Sequence, residues 1–485
     1  MSESVTVSAE DLANQPQLFG HPKGLYVCFA TELWERFSFY GMKYLLLLYL
    51  TKYHLFTDSM GLDVLGSYAG LVYALPLIGG MIADRYLGMR KSVLFGGILL
   101  SLGHILMAVE GFQAVNYAAG TTLLHDLQLA SGQLLTAGTV LTDDVTFRDT
   151  GALKVFYFAL ALIVMGVGYL KPNISTIVGQ LYAKNDPRRD SGFTIFYMGI
   201  NVGSFAATLL CGWLGETYGW KYGFGAAGIG MIIGLITFSF GQKYLLGLAE
   251  PPAPEKLKKP VVGPFNTEWL IYILSLPVLY VLWLLVQHEH VVLLSQNILL
   301  IISIVGLILY SMVHKKDGGS NNVAYTIAGI AIVAACYAVL VNLQFLPGSE
   351  TLAENILYGA IILIVGFVVY GFMTHNSPEF GRTVVLMILI LSTVVFWALF
   401  EQSAGSMTLY ADRVVDRKAF GTEFTASQFG SLNAGYIMLL AIPFAALWTW
   451  LAKKNLEPST PVKFALGIIQ AGLGFGALVY GAQHP

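Results

Sequence analysis

The amino-acid sequence predicts an all-α protein that crosses a membrane many times, and three observations support this class. Hydrophobic residues make up 56% of the 485 residues and charged residues only 12%, while the mean hydropathy is +0.66. Soluble proteins carry about a quarter of their residues as charged ones, so this composition excludes a soluble enzyme, a disulfide scaffold and a disordered chain. Apolar runs of helical length recur along the chain, and a backbone in lipid must pair its own polar groups. The lipid bilayer is therefore a partner, whereas a net charge of −2 predicts no nucleic-acid partner.

Thirteen apolar runs are long enough to cross the hydrocarbon layer. They cover approximately residues 24–52, 64–85, 91–111, 154–180, 191–216, 222–247, 267–287, 291–313, 323–346, 355–374, 383–410, 427–452 and 462–481. The loop 112–153 is too polar to be a span. These runs predict a tail at 1–22, a six-helix bundle at 23–247, a Pro-rich basic linker at 248–266, inserted membrane helices at 267–374 and a second bundle at 383–485.

Lysine and arginine predict the orientation. The polar, acidic amino terminus lacks the basic start and short apolar run of a secretory signal, so the first span is expected to stay in the mature protein. With the amino terminus in the cytoplasm, the cytoplasmic segments carry more than twice as many basic residues as the outer segments. The positive-inside rule therefore predicts a cytoplasmic amino terminus.

Ionisable residues inside the predicted spans are the main chemical signal of the sequence. They are Glu32, Glu35, Arg36, Lys43, Lys171 and Glu401. A charge in a span costs about 2.5–3.5 kcal/mol on insertion scales and marks a transport pathway by default. Four of the six lie with Tyr40 on one broad stripe of the first span, where Glu32 and Arg36 form an i, i+4 pair. The alternative is a salt bridge that only locks two helices together.

The stretch ELWERFSFYG resembles the E-x-x-E-R-F-x-Y-Y-G signature of the proton-dependent oligopeptide transporter family, which belongs to the major facilitator superfamily. GGMIADRYLGMRKS resembles the superfamily's loop between helices 2 and 3. GYLKPNIST and FYMGINVGSF resemble the family's helices 4 and 5, while FWALFEQSAGS and SLNAGYI resemble helices 7 and 8. The resemblance implies a major facilitator helix bundle with extra inserted helices between its two halves, without a cofactor or enzymatic activity. It further implies a monomeric symporter that imports di- and tripeptides with protons by alternating access across a bacterial inner membrane.

The resemblance also implies roles for individual residues. Glu32 and Glu35 would couple protons, and Glu401 would pair with Lys43 in an outer gate. The residues that would bind the peptide are Arg36, Tyr40, Lys43, Tyr73, Lys171, Asn201, Trp397 and Asn433. The guanidinium fork of Arg36 suits a peptide carboxylate. Packing is the alternative for Tyr73 and Trp397, and an interhelical hydrogen bond is the alternative for the two asparagines.

Several features depart from the family pattern. Phe39 stands where the signature has a tyrosine, so one hydroxyl is missing. Four spans rather than two are inserted at 267–374, and only helices 7 to 9 are found in the second half. Either the sequence stops short of the last three core helices and of a helix-10 acid that would pair with Lys171, or the span count is wrong.

Rival interpretations remain at this stage. One is a carrier for another anion, such as nitrate or a drug-like acid, and the other is a membrane enzyme or sensor. No nucleophile set, nucleotide motif or appended domain in the sequence favours the second. His288 and His290 could hold a metal loosely, but a solvated loop is favoured, so no metal site is expected. The three cysteines are interpreted as small core residues; they are Cys28, Cys211 and Cys336.

Overall fold

A computed structural model describes residues 12, 14–129, 133–288, 291–292, 295, 385, 389, 392–393, 395–419 and 421–483. The predicted spans at 323–346 and 355–374 lie outside these residues, as do most of 291–313, Cys336 and His290. The chain divides into two compact units. One comprises Met1–Gln287 with Ser403–Leu456, and the other comprises His288–Gln402 with Glu457–Pro485.

The first unit consists mainly of helices, most of which are long and lie at the predicted spans. They are α1 (Lys23–Leu48), α2 (Asp58–Ile82), α3 (Gly88–Met107), α4 (Thr150–Gln180), α5 (Arg189–Tyr218), α6 (Trp220–Gly241), α7 (Pro254–Lys258), α8 (Thr267–Leu285), α9 (Ser406–Arg413) and α10 (Gly430–Lys453). Single π-helical turns extend α1 and α2, at Tyr49–Tyr53 and Ala83–Leu87. Eight helices among the described residues are long and apolar enough to cross a membrane, so the protein is a multi-pass membrane protein.

Short polar side chains fix where several of these helices begin. The Asp149 carboxylate accepts a hydrogen bond from the Ala152 backbone N–H at 2.9 Å, which caps α4. The Asn266 side chain accepts one from the Trp269 N–H at 3.0 Å, which caps α8. Each cap satisfies a backbone N–H that has no partner inside the helix.

Glycines allow the two closest helix crossings around α1 and α4. A Cβ atom at Gly203 of α5 would overlap the Leu33 carbonyl oxygen of α1, and one at Gly79 of α2 would overlap the Gly168 carbonyl oxygen of α4. Small residues permit this approach because membrane helices associate through close van der Waals packing. These crossings place α2, α4 and α5 beside the charged stripe of α1.

The strands are short and antiparallel. Within the described part of the chain they form five pairs, which are β1 (Gln17–Leu18) with β2 (His21–Pro22), β3 (Val115–Tyr117) with β6 (Val145–Phe147), β4 (Leu127–Gln128) with β5 (Leu134–Leu135), β7 (Pro260–Val262) with β8 (Phe265–Asn266), and β9 (Lys418–Ala419) with β10 (Thr422–Glu423). Four of the strands, β3 to β6, lie in the loop 112–153. The sequence predicts no span there, and the described residues of this loop form none.

The loop 112–153 is a small folded module with an internal repeat. Residues 119–126 and 137–144 share the pattern A-G-T-x-L-x-x-D. The Asp144 carboxylate accepts from the Ala119 N–H at 2.8 Å, and the Asp126 carboxylate accepts from the Ala137 N–H at 2.7 Å. A leucine cluster fills the space between the two copies; its members are Leu123, Leu127 and Leu141. The repeat therefore builds two mutually bonded turns on one small core.

The segment 248–266 is more than an extended connector. It contains α7 and the β7–β8 hairpin. The Arg90 guanidinium of α3 binds both carboxylate oxygens of Glu250, with 2.9 Å between Nη2 and Oε2. These contacts fix the segment to the end of the bundle from which α3 begins.

One predicted span is wrong at its end. The sequence predicts a continuous helix over 383–410, but the helical residues 395–401 are followed by turns at 402–405, and α9 begins at Ser406. The break coincides with Gly405 and adjacent serines, which are poorer helix formers than alanine or leucine.

The second unit is described by fewer residues. Residues 395–401 form a helical segment in which Phe396 and Phe400 stack at 5.8 Å, with Trp397 edge-on to both. The helix α11 spans Thr460–Gln483, and an ion pair between Lys463 and Glu457 lies at its start.

Candidate functional site

Two acids and one base meet in the middle of α1. The Arg36 Nε atom lies 3.0 Å from the Glu32 Oε1 atom and also contacts the Glu35 carboxylate. All three side chains are buried, with residue exposures between 1% and 4%. The i, i+4 pair predicted from the sequence is confirmed, whereas the contact with the neighbouring Glu35 was not expected. We call these three residues the charge triad; it carries a net charge of −1 when every member is ionised.

The charge triad leaves polar atoms without hydrogen-bond partners. Among the described residues, no partner is found for Arg36 Nη2, Glu32 Oε2 or either oxygen of Glu35, and the Arg36 Nε contacts are ion pairs without good hydrogen-bond alignment. A buried donor or acceptor without a partner costs about 1–3 kcal/mol, and more when it is charged. The triad can therefore receive a further polar group or a proton.

Lys171 of α4 lies beside the charge triad. Its Nζ atom is 4.5 Å from the centre of the Tyr73 ring of α2, within cation–π range. Its charge also interacts with Glu32, Glu35, Arg36 and Lys43. The structure thus groups five of the six ionisable residues that the sequence places inside spans, and it adds Tyr73 to them.

Phe39 lies between two cations. Its ring centre is 5.1 Å from Arg36 Cζ and 5.8 Å from Lys43 Nζ, and Lys43 is buried. A phenylalanine keeps the negative ring face that attracts cations, although it lacks the tyrosine hydroxyl. Tyr40, the next residue, stacks on Tyr44 with ring centres 6.5 Å apart.

The remaining predicted site residues lie on α5, on α10 or in the other unit. The Asn201 Nδ2 atom donates to the Tyr197 carbonyl oxygen at 3.1 Å, one turn earlier on α5, rather than to another helix. Asn433 is exposed on the first turn of α10. Trp397 and Glu401 belong to the second unit, so their proposed contacts stay predictions.

A second charged cluster, which was not predicted from the sequence, joins helix ends that are far apart in the sequence. The Arg413 guanidinium of α9 binds both carboxylate oxygens of Asp58 at 2.6 and 2.7 Å. Lys52 contacts Asp412 at 2.5 Å and Glu216 at 3.7 Å. We call these five residues the charge latch. The presence of opposite charges at the same ends of several spans is the sequence signal that could have predicted this cluster.

The charge latch continues into the turn before α10. The Glu216 carboxylate accepts from the Ser427 backbone N–H at 2.8 Å and from its hydroxyl at 2.6 Å. The Gln428 side chain donates to the Leu209 carbonyl oxygen at 3.2 Å. One end of the bundle is therefore held by side chains from α2, α5, α9 and the start of α10.

His54 lies between α1 and α2 at the same end. It is buried, and the Arg148 guanidinium donates to its backbone carbonyl oxygen at 2.6 Å and to that of Leu55 at 2.8 Å. Burial, assisted by the Arg148 charge, lowers the pKa of His54 to about 4. The imidazole is therefore neutral near pH 7.

Metal chemistry has no visible support in the described residues, which contain no group of three or more His, Cys, Asp or Glu side chains able to hold an ion. Cys28 and Cys211 are buried, unbridged thiols, which agrees with their interpretation as small core residues.

Comparison with known families gives a match over most of the chain. The model described as PTR2, POT family, matches residues 90–247 and 296–483. The uncharacterized transporter YclF of Bacillus subtilis is 33% identical over 97% of this chain and 76% of its own length. The peptide transporter YePEPT of Yersinia enterocolitica is 32% identical over 96% and 75%, respectively. The di-/tripeptide transporter of Lactococcus lactis is 30% identical over 94% and 75%.

Solved structures give the same picture. A crystal structure of a peptide transporter POT in complex with sulfate matches with a TM-score of 0.61 at 30% identity, covering 96% of this chain and 77% of that one. A POT family transporter in complex with 5-aminolevulinic acid matches with a TM-score of 0.63, covering 97% and 80%. The second is 24% identical and supports the fold alone. The predicted fold class, a major facilitator helix bundle, is confirmed.

Proposed function

The chain belongs to the POT family of transporters, and from this premise we propose that it is a proton-coupled symporter of di- and tripeptides. Membership makes it a transporter and not an enzyme. Two relatives named as peptide transporters support the substrate class. Our proposal includes a bacterial inner membrane, a cytoplasmic amino terminus and a monomer as the working unit.

The charge triad is the observation that carries the proposal. Arg36 faces two carboxylates and keeps a buried Nη2 atom without a partner in the described chain. A peptide carboxylate can bind this guanidinium through two hydrogen bonds. When it does, it competes with Glu32 and Glu35, and the displaced acids gain a proton more readily because their cation is shared. Binding of the carboxylate and uptake of H⁺ then favour each other.

The rest of the group suits the remaining parts of a peptide. Lys43 and Lys171 add positive charge on the carboxylate side, while Tyr40 and Tyr73 offer hydroxyls and ring faces. The Asn201 and Asn433 amides can pair with peptide bonds, and Trp397 would wall a side-chain pocket. A site that recognises ends and backbone admits many side chains.

Alternating access requires that one end of the bundle opens while the other closes. The charge latch closes the end that we assign to the outside, because it lies at the C-terminal end of α1 and the start of α2. We propose that the latch breaks to admit substrate from outside. Glu401 would then exchange its partnership with Lys43 during the cycle.

Replacement of Arg36 tests the proposal directly. Uptake of dialanine should fall strongly in Arg36→Ala and substantially in Arg36→Lys, since an ammonium lacks the planar fork. Uptake of the carboxyl-amidated dipeptide, weak in the parent, should change little. Arg188→Lys, which alters a guanidinium outside the spans, is the matched control.

Equal loss for the free and amidated dipeptides would contradict the role of Arg36. Competition experiments separate the rival function. If excess nitrate or a drug-like acid blocks uptake while dipeptides do not, the protein carries another anion.

A further inference from the structure

A cavity between α2, α4 and α8 lies apart from the charge triad. It has a volume of about 170 Å³ and is walled chiefly by aliphatic side chains, including Leu75, Ile78, Ile82, Met165, Leu274 and Val278. Its only polar side chains are Tyr169 and Ser275, whose hydroxyls bond to each other at 3.0 Å. A dry apolar cavity of about 150 Å³ holds a molecule the size of benzene, so this one accommodates a short length of hydrocarbon. We call it the apolar groove.

Part of the wall of the apolar groove is exposed. Three of its wall residues are strongly exposed, with Ile78 at 50%, Leu274 at 61% and Val278 at 46%. These residues belong to helices that are long and apolar enough to span. We therefore expect the exposed side of the groove to contact lipid hydrocarbon.

A basic cavity of about 250 Å³ lies at the end of the same helices. Its lining residues are Arg85, Tyr86, Ala253, Lys256, Leu257 and Thr267. Tyr86 follows Ile82 by four residues and Thr267 precedes Ile271 by four, so about one helical turn, roughly 6 Å, separates the linings of the two cavities.

The two cations of the basic cavity differ from their neighbours. Arg90 pairs with Glu250, and Lys91 pairs with Glu268. Neither Arg85 nor Lys256 forms an ion pair with any residue that the structure describes. Their charges are thus available to an anion at the end of a hydrocarbon groove.

From this juxtaposition we infer that the two cavities together form a binding site for one phospholipid. The headgroup phosphate lies between Arg85 and Lys256, and one acyl chain lies in the apolar groove against α8. With the proposed orientation, this lipid belongs to the cytoplasmic leaflet. It would join the segment 248–266 and α8 to the bundle of α2 and α4.

The test uses the purified full chain in detergent and measures bound lipid by native mass spectrometry and protection against thermal unfolding. Four probes separate the headgroup from the chain: phosphatidylglycerol, dioleoylglycerol, glycerophosphoglycerol and inorganic phosphate. Only phosphatidylglycerol should bind and protect at micromolar concentration, because it alone carries both phosphate and acyl chains. Equal protection by either soluble phosphate compound would overturn the assignment of a lipid.

Two kinds of variant locate the site. Arg85→Gln with Lys256→Gln should weaken phosphatidylglycerol binding about thirtyfold, since each basic group near an anionic headgroup contributes about fivefold. Leu274→Trp should fill the apolar groove and reduce lipid retention by a similar factor. The controls are Lys258→Gln with Lys259→Gln, and Leu276→Trp on an exposed face of α8 outside the lining. Retention that is equal in all variants, or reduced equally by the controls, would refute the site.

Discussion

At the scale of single residues, the charge triad allows the proposed proton-coupling role of Glu32 and Glu35 to be tested separately from the peptide-binding role of Arg36. Glu32→Gln or Glu35→Gln leaves Arg36 one carboxylate partner, so the protein should fold, but it loses one site for the transported proton. We expect gradient-driven dipeptide uptake to fall at least tenfold, while counterflow, which needs no net proton movement, is largely kept. Uptake and counterflow measured in the same vesicles check this.

The control for these variants is Glu255→Gln, which removes a carboxylate from an exposed position on α7. It should leave both assays unchanged. A matched loss of uptake and counterflow in Glu32→Gln and Glu35→Gln would mean that the acids only hold the helix together. The double variant should also lower stability, by about 3–5 kcal/mol, because it leaves the buried Arg36 charge without a carboxylate partner.

His54 gives a prediction about pH and stability. Its folded-state pKa of about 4 lies below the ordinary value of 6.5, so the unfolded chain binds the proton first. The contribution of neutral His54 to the free energy of unfolding is therefore fully present above pH 6.5, and it is lost as the pH falls from 6.5 toward 4. The unfolding temperature should therefore fall over this window, and His54→Phe should reduce that fall. His125→Phe, at an exposed position, should leave the slope unchanged; an unchanged slope in His54→Phe itself would contradict the prediction.

The residue-scale part of the site was partly predictable. Helical periodicity places Glu32 and Arg36 one turn apart, and the rarity of charge in spans singles out Lys171. The contact between Lys171 and Tyr73 was not predictable, because it depends on the close crossing of α2 and α4 at Gly79 and Gly168. The sequence gives the period of each helix but not the angle at which two helices meet.

At the scale of helices, the charge latch connects α2 to α9 through Asp58 and Arg413. The pair is about half exposed, so it should contribute only about 0–1 kcal/mol to stability. Its proposed role is to hold this end of the bundle closed in one state of the transport cycle. In a background without native cysteines, Asp58→Cys with Arg413→Cys joined by a short bifunctional thiol reagent should stop uptake. Each single-cysteine variant with the same reagent should transport normally. Full uptake by the joined protein would contradict a latch that must open.

Element boundaries show what local sequence can and cannot specify. Composition predicts the helices of the first unit well, because a span needs a long apolar run. It misses the strands of loop 112–153, whose repeat is visible only when residues 119–126 and 137–144 are aligned. It also misses the turn at 402–405, since this polar and glycine-containing stretch is short and lies between two apolar stretches that together predict one span.

At the scale of the whole molecule, we propose one coupled cycle. Substrate carboxylate and H⁺ would be taken up together at the charge triad, and the charge latch would govern access from the proposed outer side. Each proposed step would change which buried charges are paired, so substrate and proton would cross the membrane without leaving a buried ion unpaired. This coupling predicts that a proton gradient drives accumulation of the peptide against its concentration gradient.

Uptake of labelled dialanine by the purified protein in sealed vesicles measures that coupling most directly. With an acid-outside gradient, the dipeptide should accumulate inside above its external concentration, and a protonophore should return it to equality. If the internal concentration never exceeds the external one, and the rate is the same with and without the gradient, protons do not drive transport and the proposed exchange at Glu32, Glu35 and Arg36 is wrong.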